Sequence, residues 1–421
     1  MFALGACVGS FLNVVIWRLP RGESIVFPGS HCPSCGRAIA WYDNIPLVSW
    51  IVLRARCRHC KVPISPRYLL VEAVTAVMVC GMFVWFYIIQ LRGGAGDIRE
   101  TWPMFLAHAV LFCGLLACSL VDIESWIIPL EVCWLASLVG IVCAGASPPP
   151  AGFMSAVSPT AGAMALAALI GLGVAMLLVR YGFIQRSFLD ADDRVLVEPP
   201  AKPKSEPAKT GKGKKNKNKN KNKNSRKDKK PSKSLEKPAP IRSVAFGKEH
   251  GVSPRREILR EVLFLAPAIG LAALAWVLVT QVAPVHDAWF RLTHPLQNSW
   301  APHLLAVLAA MFGYLIGGLW IWAFRIFGTL GFGREAMGLG DVHILAAVGA
   351  VCGWVVPSIA FFLAAILALA WAMTVFLTRK QRELPYGPWL AAGAFVTVLF
   401  YDYLAELLQP YKEVLSMLSG G

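Results

Sequence analysis

The sequence predicts an all-α fold, a multi-pass bundle of about eight to ten membrane-crossing helices. Three observations predict it. The 421 residues are 56% hydrophobic and only 16% charged, with a mean hydropathy of +0.55; a soluble domain carries roughly 25% charge. The apolar residues gather in runs that reach or approach the ~20 residues a helix needs to cross the hydrocarbon of a bilayer. The strongly basic loops between those runs all fall on one side when the runs are threaded alternately through a membrane.

In order, the runs lie at 1–17, 68–91, 103–121, 127–145, 161–180, 258–282, 303–328, 342–356, 357–378 and 386–406. The apolar N-terminus has no basic stretch before it and no small-residue cleavage site after it, so the first run reads as an anchor. The loop 18–67 carries Arg18, Arg21, Arg37, Arg54, Arg56, Arg58, Lys61 and Arg67, which places it in the cytoplasm. Alternation then puts 92–102, 146–160 and 283–302 outside. It puts Asp122–Trp126, 181–257, 329–341 and the Arg379, Lys380, Arg382 group inside. Both termini fall outside. The break between 342–356 and 357–378 rests on Pro357 following Gly353-Trp354.

The chain divides accordingly. A first membrane helix (1–17) leads to a cytoplasmic four-cysteine loop (18–67). Membrane helices follow at 68–145, then an inserted helix pair at 161–302 interrupted by a polybasic segment at 199–240, then a membrane core at 303–406. The net charge of +16 does not point to nucleic acid, because residues 201–230 alone hold fourteen Lys and Arg against Glu206 and Asp228. Segment 199–240 is low-complexity Lys, Asn, Pro and Ser and lacks the apolar residues to build a core, so disorder is expected. Its simplest reading is a solvated insertion. The second is a contact with anionic lipid, at about 1 kcal/mol per basic residue near the surface.

Seven of the eleven cysteines (Cys7, Cys80, Cys113, Cys118, Cys133, Cys143, Cys352) sit in apolar runs and read as small buried hydrophobes. The other four form two C-x-x-C pairs, Cys32-Pro-Ser-Cys35 and Cys57-Arg-His-Cys60. Two such knuckles complete a tetrahedral four-thiolate site, as in zinc ribbons. Gly36 suits the tight turn after the first pair. Two disulfides are disfavoured in a reducing cytoplasm, and a redox pair needs no second copy. His31 and His59 are substitute ligands the four cysteines do not require. A closed four-sulfur site is structural, and it would hold together a loop too small to have its own core.

Two aspartates carry the candidate chemistry. Asp122 ends a long apolar run, within VDIESWIIP. Asp341 follows Gly338-Leu339-Gly340 and opens another run. The topology puts both at one membrane face, and ionisable groups at membrane depth are costly and commonly functional. Two carboxylates brought together cannot both ionise easily. One stays protonated while the other acts as a base, as in aspartic proteases. Taken singly, each has a plainer reading: Asp122 as a helix-end carboxylate, Glu124 as a rim charge, His343 as a helix-end histidine.

The motifs resemble a known family. Glu335-Ala336-Met337-Gly338-Leu339-Gly340-Asp341 looks like the G-x-G-D motif of the bacterial prepilin peptidases, the type IV leader peptidases. Asp122 with Ile128-Pro129 looks like their first catalytic aspartate. In the same order come GSFLNVVIWRLP (Gly9 to Pro20), Asn44-Ile45-Pro46-Leu47 with Ser49-Trp50, both cysteine pairs, Ile64-Ser65-Pro66-Arg67-Tyr68 with Val71-Glu72, and Pro385-Tyr386-Gly387-Pro388. The resemblance covers roughly 1–145 and 303–405. It implies a membrane aspartic endopeptidase, with Asp122 and Asp341 catalytic, that cuts leaders of type IV prepilins or type II secretion pseudopilins ahead of their hydrophobic helix. It also implies N-methylation of the new N-terminus with S-adenosylmethionine, although no glycine-rich cofactor fingerprint is visible. It further implies the bacterial inner membrane. The chain departs from the family in its two added crossings at 161–302, in Leu130 after Pro129, and in His343 where Lys is common. The reading from a different class is a non-catalytic membrane scaffold with a zinc-stapled loop; a third is an isolated methyltransferase.

Overall fold

The structure is a computed structural model; it describes residues 1–150, 152–185, 187, 254–333, 335–378 and 385–407. The polybasic segment 199–240 and the Arg379, Lys380, Arg382 group lie outside the described residues. Those residues form helices and loops, with two isolated β-bridges and no extended strand among them.

The principal helices are α1 (Phe2–Arg18), α2 (Val48–Val52), α3 (Pro66–Phe83), α4 (Ile98–Ser125), α5 (Leu130–Ala146), α6 (Pro159–Arg180), α7 (Pro254–Gln281), α8 (Ala283–Thr293), α9 (Ala301–Phe332), α10 (Leu339–Cys352), α11 (Val355–Thr378), α12 (Gly387–Leu399) and α13 (Tyr401–Leu407). Seven of them (α1, α3, α4, α6, α7, α9 and α11) are long and apolar enough to cross a membrane, and α5, α10 and α12 are shorter apolar helices. These ten coincide with the ten apolar runs. Several begin where the local chemistry demands. Ser65 and Asp97 accept the Arg67 and Arg99 N–H groups at 3.3 and 2.9 Å, capping α3 and α4.

Two boundaries differ from the sequence expectation. The chain breaks at Gly353-Trp354, not at Pro357, because Gly353 adopts φ 76°. Pro357 then falls in the first turn of α11, where a missing N–H costs little. The last run, expected as one segment at 386–406, is divided at Phe400 into α12 and α13.

Helix α10 is the axis of the bundle. Of its residues from Asp341 to Cys352, all but His343 are buried. That explains an apolar sequence with no polar face. It packs against α9, α5, α4, α11 and α12. The α9–α10 contact is closest where Gly313 meets Gly349. A methyl on either glycine would drive into the other's carbonyl oxygen, so small residues set the spacing, as they do between membrane helices generally. The added helices α6 and α7 pack on each other and on α9. Only 11% of the apolar window of α7 is buried among the described residues.

Candidate active site and metal centre

Asp122 lies in the last turn of α4. The helix ends just beyond it at Trp126, which takes a left-handed conformation (φ 57°) and returns its N–H to the Asp122 carbonyl at 2.9 Å. Asp341 lies in the first turn of α10, three residues after the N-cap Gly338. The two carboxylates are 6% and 7% exposed and lie within electrostatic reach of each other. The fold therefore brings together the two aspartates singled out in the sequence.

Their surroundings assign parts to the flanking motifs. The Gly387 N–H donates to Asp122 Oδ2 at 3.1 Å, and a Cβ at Gly387 would lie 2.7 Å from that oxygen. Asp341 accepts a backbone hydrogen bond from Gly338 and faces Tyr386 and Arg325. A Cβ at Gly340 would come 2.7 Å from Ile128 Cβ, so this glycine lets the start of α10 close on the segment that follows Asp122. Gly338 has no such constraint, since its Cβ would sit in ordinary contact, 3.7 Å from Asp341 Oδ2. Glu124 is turned away onto Arg67, an ion pair that ties the end of α4 to the start of α3. The His343 ring lies edge-on to Trp134 at 6.0 Å, and its Nδ1 has no hydrogen-bond partner among the described residues.

Two further contributors surround the pair, and neither is marked as such by its local sequence. The Pro385-Tyr386-Gly387-Pro388 motif was visible but carried no role, because its contact with Asp122 spans 265 positions. Arg325 gave no local signal beyond a charge inside an apolar run.

The four loop cysteines also converge. Their sulfurs lie within 4.8 Å of one another, with Cys32 Sγ and Cys60 Sγ 3.7 Å apart. A tetrahedral zinc with Zn–S bonds of ~2.3 Å sets its sulfurs about 3.8 Å apart, so the cluster fits the ion. The two knuckles are built alike. Cys32 donates its N–H to Arg37 O and its carbonyl accepts from Gly36; Cys57 donates to Val62 O and its carbonyl accepts from Lys61. A bridge closes each knuckle, His31 with Ala38 and Arg56 with Pro63. Gly36 and Lys61 hold equivalent positive φ angles of 68° and 58°. Backbone N–H groups of Cys60 and His59 pull the Cys57 thiol down to about 6, which favours the thiolate a metal needs. Cys60 moves the other way, to about 11: its bond from the Val62 N–H lowers it, but desolvation and hydrogen bonds to the Cys57, Cys32 and Cys35 sulfurs outweigh that. His31 Nδ1 faces Gly29 O and His59 Nδ1 accepts from Arg37, so both histidines are engaged outside the cluster.

The loop is anchored on the bundle. The Leu47 N–H donates to Glu72 Oε2 at 2.8 Å, with Leu47 at φ 61°. Asp43 and Arg58 form a two-pronged pair at 2.7 and 2.6 Å across the loop, and the Arg58 guanidinium holds the Asp43 carboxyl below its usual range.

Apolar helices around a buried pair of carboxylates define the class, a multi-pass membrane protein with a di-aspartate site at one end of its bundle. Residues 263–373 match the Type IV leader peptidase family and residues 3–86 match the Bacterial Peptidase A24 N-terminal domain. Both matched stretches are thus similar to the bacterial type IV leader peptidases. Asp341 falls within the first match; Asp122 falls in neither. The chain is 46% identical over 145 residues to a Myxococcus xanthus (strain DK1622) protein named prepilin leader peptidase/N-methyltransferase, covering 34% of this chain and 39% of that one. It is 35% identical over 173 residues to an Escherichia coli O78:H11 protein named type 4 prepilin-like proteins leader peptide-processing enzyme, covering 37% and 59%. A Klebsiella pneumoniae prepilin leader peptidase/N-methyltransferase is 45% identical over 101 residues, covering 22% and 44%. The chain spans about half the length of the curated relatives it matches. No solved structure matches it.

Proposed function

We propose that this chain is a membrane aspartic endopeptidase that removes the leaders of type IV prepilins or type II pseudopilins, with Asp122 and Asp341 as its catalytic pair. The observation that carries the reading is the meeting of the two buried carboxylates at one end of an apolar bundle. The ionised carboxylate takes a proton from water as that water adds to the scissile carbonyl. The protonated one donates a hydrogen bond to the carbonyl oxygen. Collapse of the tetrahedral adduct expels the amine, which leaves with a proton from the pair. The Gly387 N–H fixes the place of Asp122 Oδ2 for this chemistry. A substrate with a hydrophobic helix behind its cleavage site can reach this place from within the bilayer.

The basic loops near the pair argue that this end faces the cytoplasm of a bacterial inner membrane. Cys32, Cys35, Cys57 and Cys60 would hold a zinc ion that staples the loop and takes no part in peptide cleavage, because four thiolates leave no open coordination position. The names of the relatives support N-methylation of the new N-terminus with S-adenosylmethionine as a second activity.

The test is leader cleavage in membranes carrying Asp122→Asn or Asp341→Asn. Each change is expected to abolish cleavage while the protein stays folded and inserted. Full cleavage by both variants would sink the peptidase reading and leave the zinc-stapled scaffold in its place.

A further inference from the structure

Arg325 is 3% exposed, although it carries a permanent charge inside α9. A charge at such depth is retained where it is paired and used. Its Nη1 donates to the Met337 carbonyl at 2.6 Å and sits 2.5 Å from Glu335 Oε1. Both residues belong to the turn that delivers Asp341, and the Asp341 carboxylate lies within electrostatic reach of the guanidinium.

The other side of Arg325 faces the added helix pair. Its Nε donates to Glu261 Oε1 at 3.2 Å. Glu261 belongs to α7 and is itself 3% exposed. The same carboxylate accepts the Trp322 indole N–H and the Ser187 hydroxyl. Glu261 therefore joins Arg325 of α9 to Ser187, which lies beyond the end of α6. Nearby, Arg260 bridges Gln185 and Glu257 at 2.6 Å each.

We propose that Arg325 is a positioning residue for Asp341 and that Glu261 fixes Arg325 in place, which makes the added helix α7 a working part of the catalytic end. The planar guanidinium can bond the turn on one edge and α7 on the other, whereas a lysine keeps the charge without the fork. A misplacement of about 1 Å at a reacting group can cost about 100-fold in rate. The inference rests on the peptidase reading and deepens it.

The experiment measures kcat and KM of the full chain in lipid nanodiscs, on a synthetic peptide with a leader junction ahead of an apolar helix. The variants are Arg325→Gln, Arg325→Lys and Glu261→Gln, with Asp341→Asn as reference. Arg325→Gln is expected to lower kcat about 100-fold and Glu261→Gln about tenfold, with KM changed less than about twofold. Arg325→Lys should recover part of the Arg325→Gln loss. If Arg325→Gln fails to fold, Glu261→Gln and Arg325→Lys decide. Wild-type kcat in the folded Arg325 and Glu261 variants, beside an inactive Asp341→Asn, overturns the positioning role alone. A loss confined to KM also overturns it. Normal cleavage by Asp341→Asn removes the peptidase reading and this inference with it.

Discussion

At the scale of single residues, the candidate site depends on backbone groups as much as on its two aspartates. The Gly387 N–H holds one oxygen of Asp122, and the absent side chain leaves that oxygen its place. Gly387→Ala would put a methyl 2.7 Å from Oδ2 and push the carboxylate aside. We expect a folded protein with cleavage reduced by about 100-fold, read from initial rates on a leader peptide. The same reasoning at Gly340 predicts that Gly340→Ala separates the start of α10 from Ile128, again at a cost in rate. In the sequence, Gly340 reads as a place of close backbone approach at a helix start, whereas Gly387 carries no role of its own. Glycine motifs signal that something comes close, not what does.

At the scale of elements, the cysteine loop and the α9–α10 contact make separable predictions. Purified protein should hold about one zinc per chain, and Cys32→Ser should lose it, as read by metal analysis. The metal binds thiolates, so protons compete with it as pH falls. Zinc should therefore leave progressively on acidification, which a chromophoric chelator can follow. In the bundle, Gly313→Ala would force α9 away from α10 against a backbone carbonyl. A loss of about 1–3 kcal/mol in stability is expected from such overpacking, seen as a lower unfolding temperature of the purified protein. The cysteine spacing was fully legible beforehand, because two short turns fix it. The glycine contact was not, since nothing in α9 alone says which helix it will meet.

At the scale of the whole molecule, the alternation of basic loops predicts both termini on the outer side. A phosphatase that is active only outside the cytoplasm, fused after residue 407, should therefore be active, and fused within 18–67 it should be silent. The added pair α6–α7 keeps this alternation because it contributes two crossings. Removing 199–240 while keeping α7 and Glu261 should change cleavage less than about twofold if that segment is a solvated insertion. A larger change that depends on anionic lipid would support the surface-binding reading.

The sequence by itself determined the ten apolar segments, their order, the four-cysteine spacing and the presence of two carboxylates at helix ends. Each of these is local: segment length, hydropathy, two-residue spacings and the bias of charge between loops. The tertiary structure decided that Asp122 and Asp341 meet, that Gly387 N–H holds one of them, and that Arg325 ties the turn before Asp341 to Glu261 of an added helix. Those contacts join segments far apart in the chain. They follow from how closely glycine-faced helices can approach around α10, a property of the packed bundle that no single stretch of sequence contains.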